Sequence, residues 1–155
     1  MSSPELFLDS SALFAAAAST TGAAHQLLLL SEQSRIVVVV SEQVIVETEH
    51  ALARKRPGAL PAYQELLRAL AMKIVLDPPA AILAMRSGMT SHEADLPILV
   101  AAMEAQVDYL VTLNRRHFID DPRVAERSGL QIGTPGDALH WVRGRLGASP
   151  AAPRP

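Results

Sequence analysis

The chain has 155 residues, of which 49% are hydrophobic, 19% charged and only 4% aromatic. This length fits one domain with an aliphatic core and is short for two domains. The formal net charge of −2 excludes the broad basic surface of proteins that hold long nucleic acids by neutralising phosphates, so any RNA or DNA must be bound locally. The absence of cysteine excludes disulfides, thiolate chemistry and sulfur-ligated zinc.

No export signal or membrane span is predicted. The N-terminus lacks a basic segment followed by a long apolar one, and the apolar runs Leu27–Leu30 and Val37–Val40 fall far short of the roughly 20 residues of a spanning helix. A chain without cysteine is compatible with a reducing compartment. We therefore expect a cytoplasmic protein that is not bound to a membrane.

The first third of the chain predicts a strand, a helical region and a second strand. Glu5–Leu8 is a short apolar run ending at Asp9, which favours a strand with a carboxylate at its end. The Ala- and Leu-rich segments Ala12–Ala18 and Ala23–Leu30 predict two helices or one broken helix. Ile36–Val40 consists of β-branched residues without polar alternation, which is typical of a strand buried on both faces of a parallel sheet.

The middle of the chain predicts two helices, a strand and one more helix. Apolar positions recur at helical spacing from Glu42 to Lys55, and Pro57 ends this pattern. The elements that follow are a helix over about Pro61–Met72, a short strand over Lys73–Leu76 and a short helix over Ala80–Arg86.

The last third begins with a helix that proline helps to place. Proline is tolerated in the first turn of a helix, so Pro97 places the start of the helix Leu96–Gln106 near Asp95. The elements predicted after it are a strand over Val107–Thr112, a strand over Leu130–Ile132 and a helix over Pro135–Leu146 capped by Thr134. Residues 147–155 are rich in Gly, Ala and Pro and are predicted to be a disordered tail, which leaves residues 1–146 as the domain.

Alternating helices and apolar strands favour an α/β fold, with a mostly parallel sheet of four to five strands between two layers of helices and right-handed crossovers. In such sheets ligands bind beyond the carboxyl ends of the strands. Asp9 and Asn114 each follow a strand, Asp95 opens a helix, and Glu47 lies in the helix after the second strand. Oxygen-bearing side chains that converge through the fold are suited to bind a hard divalent cation.

Five segments together resemble the PIN domain family, and within it the toxin-like members of the VapC type. They are Leu-Asp9-Ser-Ser-Ala-Leu, the helix that carries Glu47, Asp95-Leu-Pro-Ile-Leu-Val-Ala-Ala, Asp108-Tyr-Leu-Val-Thr-Leu-Asn114-x-x-His-Phe118, and Ile-Gly-Thr-Pro135-Gly-Asp-Ala-Leu. The resemblance covers about residues 5–146. Each motif alone is weak, whereas their order and spacing are fairly specific.

The resemblance implies an endoribonuclease that depends on Mg²⁺ or Mn²⁺ and hydrolyses phosphodiester bonds of RNA, whether tRNA, rRNA or mRNA. It implies that Asp9 is the central metal ligand, that Asp95 lies beside it, and that Glu47 acts on a metal-bound water. It further implies the toxin of a toxin–antitoxin pair with a cognate antitoxin. A homodimer through the helices around Ala12–Leu30 and Glu42–Met72 is also implied.

The sequence departs from the family pattern at the fourth acid, because Asn114 and His117 occupy the two places where that acid commonly lies. Asn114 therefore completes the predicted catalytic set as a neutral oxygen ligand. Candidate substrate-binding residues are Ser10, Thr112, Arg115 and Arg116, since guanidinium groups match phosphate oxygens and hydroxyls donate to them.

Structural interpretations compete with each of these assignments. Asp9 and Asp95 are suitable N-caps, Asn114 is a common turn residue, and Glu49 is the reserve for Glu47 on the same helix. Zinc is not expected, because the four histidines other than His117 (His25, His50, His92 and His140) lack partners at ligand spacing. The alternative function is a catalytically weakened PIN scaffold that binds RNA or a protein partner without cleavage. A receiver-like signalling domain is a weaker alternative, since Lys73 is poorly placed for the lysine that it requires after the last strand. A nucleotide-binding domain is weaker still, since no glycine-rich phosphate loop is present.

Overall fold

The computed structural model of the protein describes residues 2–147 and consists of five strands and eight α-helices in that range. The strands are β1 (Glu5–Leu8), β2 (Val37–Ser41), β3 (Lys73–Val75), β4 (Tyr109–Val111) and β5 (Gln131–Gly133). The helices are α1 (Ser10–Ala18), α2 (Ala23–Glu32), α3 (Glu42–Lys55), α4 (Leu60–Ala69), α5 (Ala80–Met85), α6 (Leu96–Glu104), α7 (Pro122–Ser128) and α8 (Pro135–Gly147).

The five strands form one all-parallel sheet in the order β3-β2-β1-β4-β5. Consecutive residues are buried in β1, β2 and β4, so both faces of the central sheet are covered. Helix α6 packs against β2, while α8 packs against β4 and β5. The predicted α/β architecture, a parallel sheet flanked by helices, is confirmed.

The sheet edges are less buried than its centre. Strand β3 carries the exposed residues Lys73 and Ile74. At the other edge, Gly133 lies against Tyr109 and Asp137, and a Cβ atom there would overlap the Tyr109 hydroxyl and approach Asp137 Cβ to 2.9 Å. Asp137 and Thr134 also cap α8 reciprocally, with N–H···O distances of 3.0 and 3.1 Å. The predicted cap of the last helix is thereby confirmed.

Helices α1 and α2 are separate helices, bent by 88° relative to each other, and the break falls at residues 19–22, between the two predicted helical segments. Within residues 2–147 no single helix has the length and apolar character to cross a membrane, although α1 and α2 taken as one bent pair reach both criteria. Both helices carry buried residues that belong to the hydrophobic core.

Two elements were missed by the sequence patterns. The segment Arg115–Ile119 forms a turn of π-helix, and α7 follows directly with Asp121 as its N-cap. Both are short and polar, so neither shows an apolar stripe. The predicted disordered tail lies outside the described residues except for Gly147, which ends α8.

Candidate functional site

The candidate site lies at the carboxyl ends of β1 and β4, where the chain order of the sheet reverses. From β1 the chain continues to β2 and β3 on one side, and it returns to β4 on the other side of β1. Ligands of open parallel sheets bind in the crevice at this kind of switch point. Asp9 directly follows β1 and Thr112 directly follows β4, so the structure places both at this crevice.

Asp9 is a buried carboxylate that accepts hydrogen bonds from three donors. Its side chain is among the few buried polar groups, with 4% of its surface exposed. Oδ1 accepts the Ser11 hydroxyl at 2.6 Å and the backbone N–H of Ala12 at 2.9 Å, while Oδ2 accepts the Thr112 hydroxyl. Burial raises the pKa of Asp9 above its ordinary value, and the hydrogen bonds from Ser11, Thr112 and Ala12 oppose this rise.

Thr112 connects Asp9 to the turn after β4. Its hydroxyl, which donates to Asp9, accepts the backbone N–H of Asn114 at 2.9 Å. The Asn114 side chain caps the following turn, since its Oδ1 accepts the backbone N–H of His117 at 3.3 Å. The turn interpretation of Asn114 is therefore correct, and Thr112 both satisfies a backbone group and fixes the carboxylate.

Asp95 is joined to this turn by His117. Asp95 occupies the N-cap position of α6 but makes no capping hydrogen bond with its side chain. Its Oδ2 lies 2.6 Å from His117 Nδ1 instead. A continuous series of contacts thus runs from Asp9 through Thr112, Asn114 and His117 to Asp95.

Glu47 does not take part in this network. It is exposed on α3 and accepts a hydrogen bond from Gln43 Nε2 at 3.2 Å, one turn earlier. Among residues 2–147 no hydrogen bond or ion pair joins Glu47 to Asp9 or Asp95. The reserve residue Glu49 is half-buried, and its charge contributes to the raised pKa of Tyr63.

Of the four predicted substrate-binding residues, Thr112 is a fully buried member of the network, and the other three lie next to network residues in the chain. Ser10 is half-buried at the start of α1, whereas Arg115 and Arg116 are exposed in the π-helical turn. Arg115 Nε lies 4.0 Å from Asp120 Oδ1. The guanidinium groups of this turn are accessible to solvent.

Three residues of this region carry roles that the sequence did not assign. Ser11 donates to Asp9 and accepts the Leu113 N–H at 3.0 Å, and a Ser two residues after an Asp at a helix start could have indicated this contact. His117 contacts Asp95, and His92 stacks on His117 with ring centroids 3.4 Å apart. The expectation that His92 lacks a partner at ligand spacing was wrong, because potential ligand atoms of His92, Asp95 and His117 lie within 4.8 Å of one another. No local spacing relates His92 to His117.

Comparisons with known proteins show the family and the fold of this chain. Residues 5–116 match the family model of the PIN domain. The chain therefore belongs to the PIN domain family. PIN domains are a nuclease family whose members typically depend on a divalent metal.

The fold is similar to that of the crystal structure of PAE2754 from Pyrobaculum aerophilum, with a TM-score of 0.62. The alignment covers 91% of this chain and 96% of that one at 17% sequence identity, which supports the shared fold alone. No curated protein matches this PIN sequence.

The donor set at the site fits the divalent metal that PIN domains typically use. Within the described residues Oδ2 of Asp9 accepts one hydrogen bond, so a lone pair of this oxygen is left for a cation. Burial disfavours the charged form of Asp9, and a cation at this oxygen would offset that penalty. Asn114 contributes no acid, and its Oδ1 faces a backbone N–H, so this PIN chain offers fewer charged oxygens than the family pattern provides.

Proposed function

We propose that the protein is a Mg²⁺- or Mn²⁺-dependent endoribonuclease that hydrolyses phosphodiester bonds of RNA. The observation that supports this most directly is the buried Asp9 carboxylate at the switch point, with its Oδ2 fixed by Thr112 and connected through Asn114 and His117 to Asp95. A group fixed by this many hydrogen bonds holds its oxygen in position without further reorganisation.

In this proposal each side chain has a defined task. Asp9 and Asp95 hold the cation through carboxylate oxygens, and Thr112 orients Asp9. Glu47, exposed on α3, orients the attacking water or accepts its proton. The metal, when bound, supplies the positive charge that stabilises the developing charge on the phosphoryl oxygens.

RNA is held locally in this proposal, because the net charge of −2 does not provide a broad basic surface. The exposed Arg115 and Arg116 side chains lie on the turn between Asn114 and His117 and can donate in pairs to phosphate oxygens. Ser10, at the start of α1 beside Asp9, supplies a hydroxyl for the same backbone. Contacts to phosphate and sugar position RNA without reading its sequence.

The test is cleavage of total RNA by the purified protein with Mg²⁺ and with EDTA, followed by mapping of the new ends. We expect cleavage with Mg²⁺ that EDTA abolishes, and a loss of more than about 100-fold in Asp9→Asn, since even partners outside the coordination shell matter by about 10- to 100-fold. Arg123→Ala is the matched control, because Arg123 pairs with Asp121 on α7. Equal cleavage by wild type and Asp9→Asn contradicts the proposal.

A second candidate is a PIN scaffold that binds RNA or a protein without cutting it. Two observations favour it: Asn114 replaces an acid, and Asp95 Oδ2 is engaged by His117. RNA binding measured by gel shift without any Mg²⁺-dependent cleavage is the result that this candidate predicts. Asn114→Asp would then create cleavage where the wild type has none.

We also propose that the protein is the VapC-type toxin of a toxin–antitoxin pair, acting in the cytoplasm as a homodimer through the helices around residues 12–30 and 42–72. The support is the family resemblance of the motifs around Asp9, Asp95 and Asn114. A short open reading frame for an antitoxin directly upstream is expected. Induction of the protein alone should arrest growth, and co-expression of the upstream product should restore it.

A further inference from the structure

His92, Asp95 and His117 form a compact cluster at the margin of the candidate site. One potential ligand atom from each lies within 4.8 Å of the other two. The imidazole rings of His92 and His117 are stacked, with an interplanar angle of 19°. For comparison, four ligands at about 2.1 Å from a tetrahedral zinc ion are about 3.4 Å apart. An imidazole binds a metal in the plane of its ring, so the stacked rings must turn apart before the three atoms surround one ion, and the exposed His92 has room to rotate.

The contacts of His117 Nδ1 do not fit one protonation state. This nitrogen lies 2.6 Å from Asp95 Oδ2, which accepts, and 3.0 Å from Asn114 Nδ2, which donates. A ring nitrogen has either one proton or one free lone pair, so it satisfies the Asp95 contact or the Asn114 contact but not both, and binding an ion through that lone pair leaves the same Asn114 contact unsatisfied. Exchanging the amide oxygen and nitrogen of Asn114 would set an NH₂ group against the His117 backbone N–H, which is no better.

A cation satisfies the two acceptor atoms without a proton between them. The lone pairs of an imidazole nitrogen and of a carboxylate oxygen can bind one ion together. His92 adds a second nitrogen: its Nδ1 pairs with the Ser91 hydroxyl at 3.3 Å, and within the described residues its Nε2 has no hydrogen-bond partner. His92 is exposed and Asp95 and His117 are half-buried, so an ion has access from solvent.

We propose that His92, Asp95 and His117 bind a divalent transition-metal ion such as Zn²⁺. Two imidazoles and one carboxylate are the ligand set of zinc and related first-row metals, and they leave coordination positions for water or a phosphate oxygen. Mg²⁺ prefers oxygen ligands in octahedral geometry and is poorly served by this cluster. The cluster shares Asp95 with the proposed Mg²⁺ site but does not include Asp9, so the two metal sites make separate predictions.

The experiment measures Zn²⁺ binding to tag-free protein by competition with a chromophoric chelator, and the visible absorption of bound Co²⁺ reports its ligands. We expect one tightly bound ion per chain that a large excess of Mg²⁺ does not displace. His92→Ala and His117→Ala should each weaken Zn²⁺ binding by at least about tenfold, as expected for the loss of a ligand. His140→Ala is the matched control, since His140 is exposed on α8 and outside the cluster.

Because His92 is exposed, its substitution should leave the fold intact, and circular dichroism checks this for both variants. Unchanged Zn²⁺ affinity of His92→Ala overturns the proposal, as does displacement of Zn²⁺ by an equal concentration of Mg²⁺. Asp9→Asn separates this proposal from the ribonuclease proposal: it should abolish cleavage and retain Zn²⁺ binding. Loss of Zn²⁺ binding in Asp9→Asn would place the ion at the buried carboxylate and overturn the proposed ligand set.

Discussion

Two fully buried hydroxyl groups lie near acids in this protein, and their surroundings differ. The Thr112 hydroxyl, at the end of β4, donates to Asp9 and accepts the Asn114 N–H. The Tyr63 hydroxyl, on α4, is also fully buried but has no hydrogen-bond partner within residues 2–147. Burial and the charge of Glu49 raise the pKa of Tyr63 to about 12.

The comparison shows that a buried polar group and a shifted pKa do not by themselves mark a reactive site. At Thr112 the hydroxyl is one member of a hydrogen-bond network that fixes a carboxylate at the ligand-binding edge of the sheet. At Tyr63, on α4, the hydroxyl is an isolated group without a hydrogen-bond partner in the described residues. We therefore expect substitutions at the first site to impair function and a substitution at the second to leave it unchanged.

The largest expected effect is on the rate of RNA cleavage, and it distinguishes the two candidate catalytic acids of α3, Glu47 and Glu49. Glu47→Gln should lower the rate of RNA cleavage by about 100-fold or more, the usual contribution of a group that accepts a proton. Glu49→Gln, next to Tyr63, should leave the rate unchanged. Single-turnover cleavage kinetics measure both, and the opposite ranking would assign the catalytic role to Glu49.

Removal of the Thr112 hydroxyl breaks the network. Thr112→Val should lower the free energy of unfolding by about 1–3 kcal/mol, because Asp9 loses a donor and the Asn114 N–H loses an acceptor. It should also reduce cleavage. Urea denaturation provides the measurement. Thr112→Ser keeps the hydroxyl and should restore most of both losses; failure to do so would mean that the methyl group, not the hydrogen bonds, matters.

Removal of the Tyr63 hydroxyl should stabilise the protein, whereas removal of the Thr112 hydroxyl should destabilise it. Tyr63→Phe should raise the free energy of unfolding by about 1 kcal/mol, since a buried group without a partner is removed. The wild type should lose stability as pH rises from 10 toward about 12, because its folded state retains the proton longer than the unfolded chain. Thermal melts across this range should show no such loss for Tyr63→Phe, whose rate of cleavage should be that of the wild type.

The smallest expected effect is on how the stability of the metal-free protein depends on pH. Burial raises the pKa of Asp9, so the folded state binds a proton more tightly than the unfolded state, and stability falls as pH rises from 3.8 through the raised value. In EDTA, Asp9→Asn should lack this decline and be more stable than the wild type at neutral pH. A wild type that gains stability over this interval would show that the hydrogen bonds outweigh burial.

Most of the fold could be predicted from the sequence, because the strands are apolar runs without polar alternation and the helices begin or end at recognisable residues such as proline. Ile36–Val40 predicted a doubly buried strand, and β2 is one. Pro97 placed the start of α6 at Leu96, as the structure has it. Helix α7 was missed since its seven residues bury Val124 alone and show no repeating face.

The site was predictable where its contacts are local or follow from strand ends. Asp9 and Thr112 meet because the carboxyl ends of adjacent parallel strands lie side by side. The contact between His117 and Asp95 depends on how the turn after β4 folds back on the start of α6, and the stacking of His92 depends on the loop before α6. No periodicity encodes such loop geometry, so these contacts needed coordinates.

The tight fit around Gly133 has a consequence for how this family member can vary. Its carbonyl accepts the Thr112 N–H at 3.0 Å, and its α-carbon faces Tyr109 and Asp137 without room for a methyl group. A library of random variants selected for activity should therefore retain glycine at this position, although it lies outside the set of proposed reactive residues. Tolerance to mutation and proximity to chemistry are thus separate properties in this molecule.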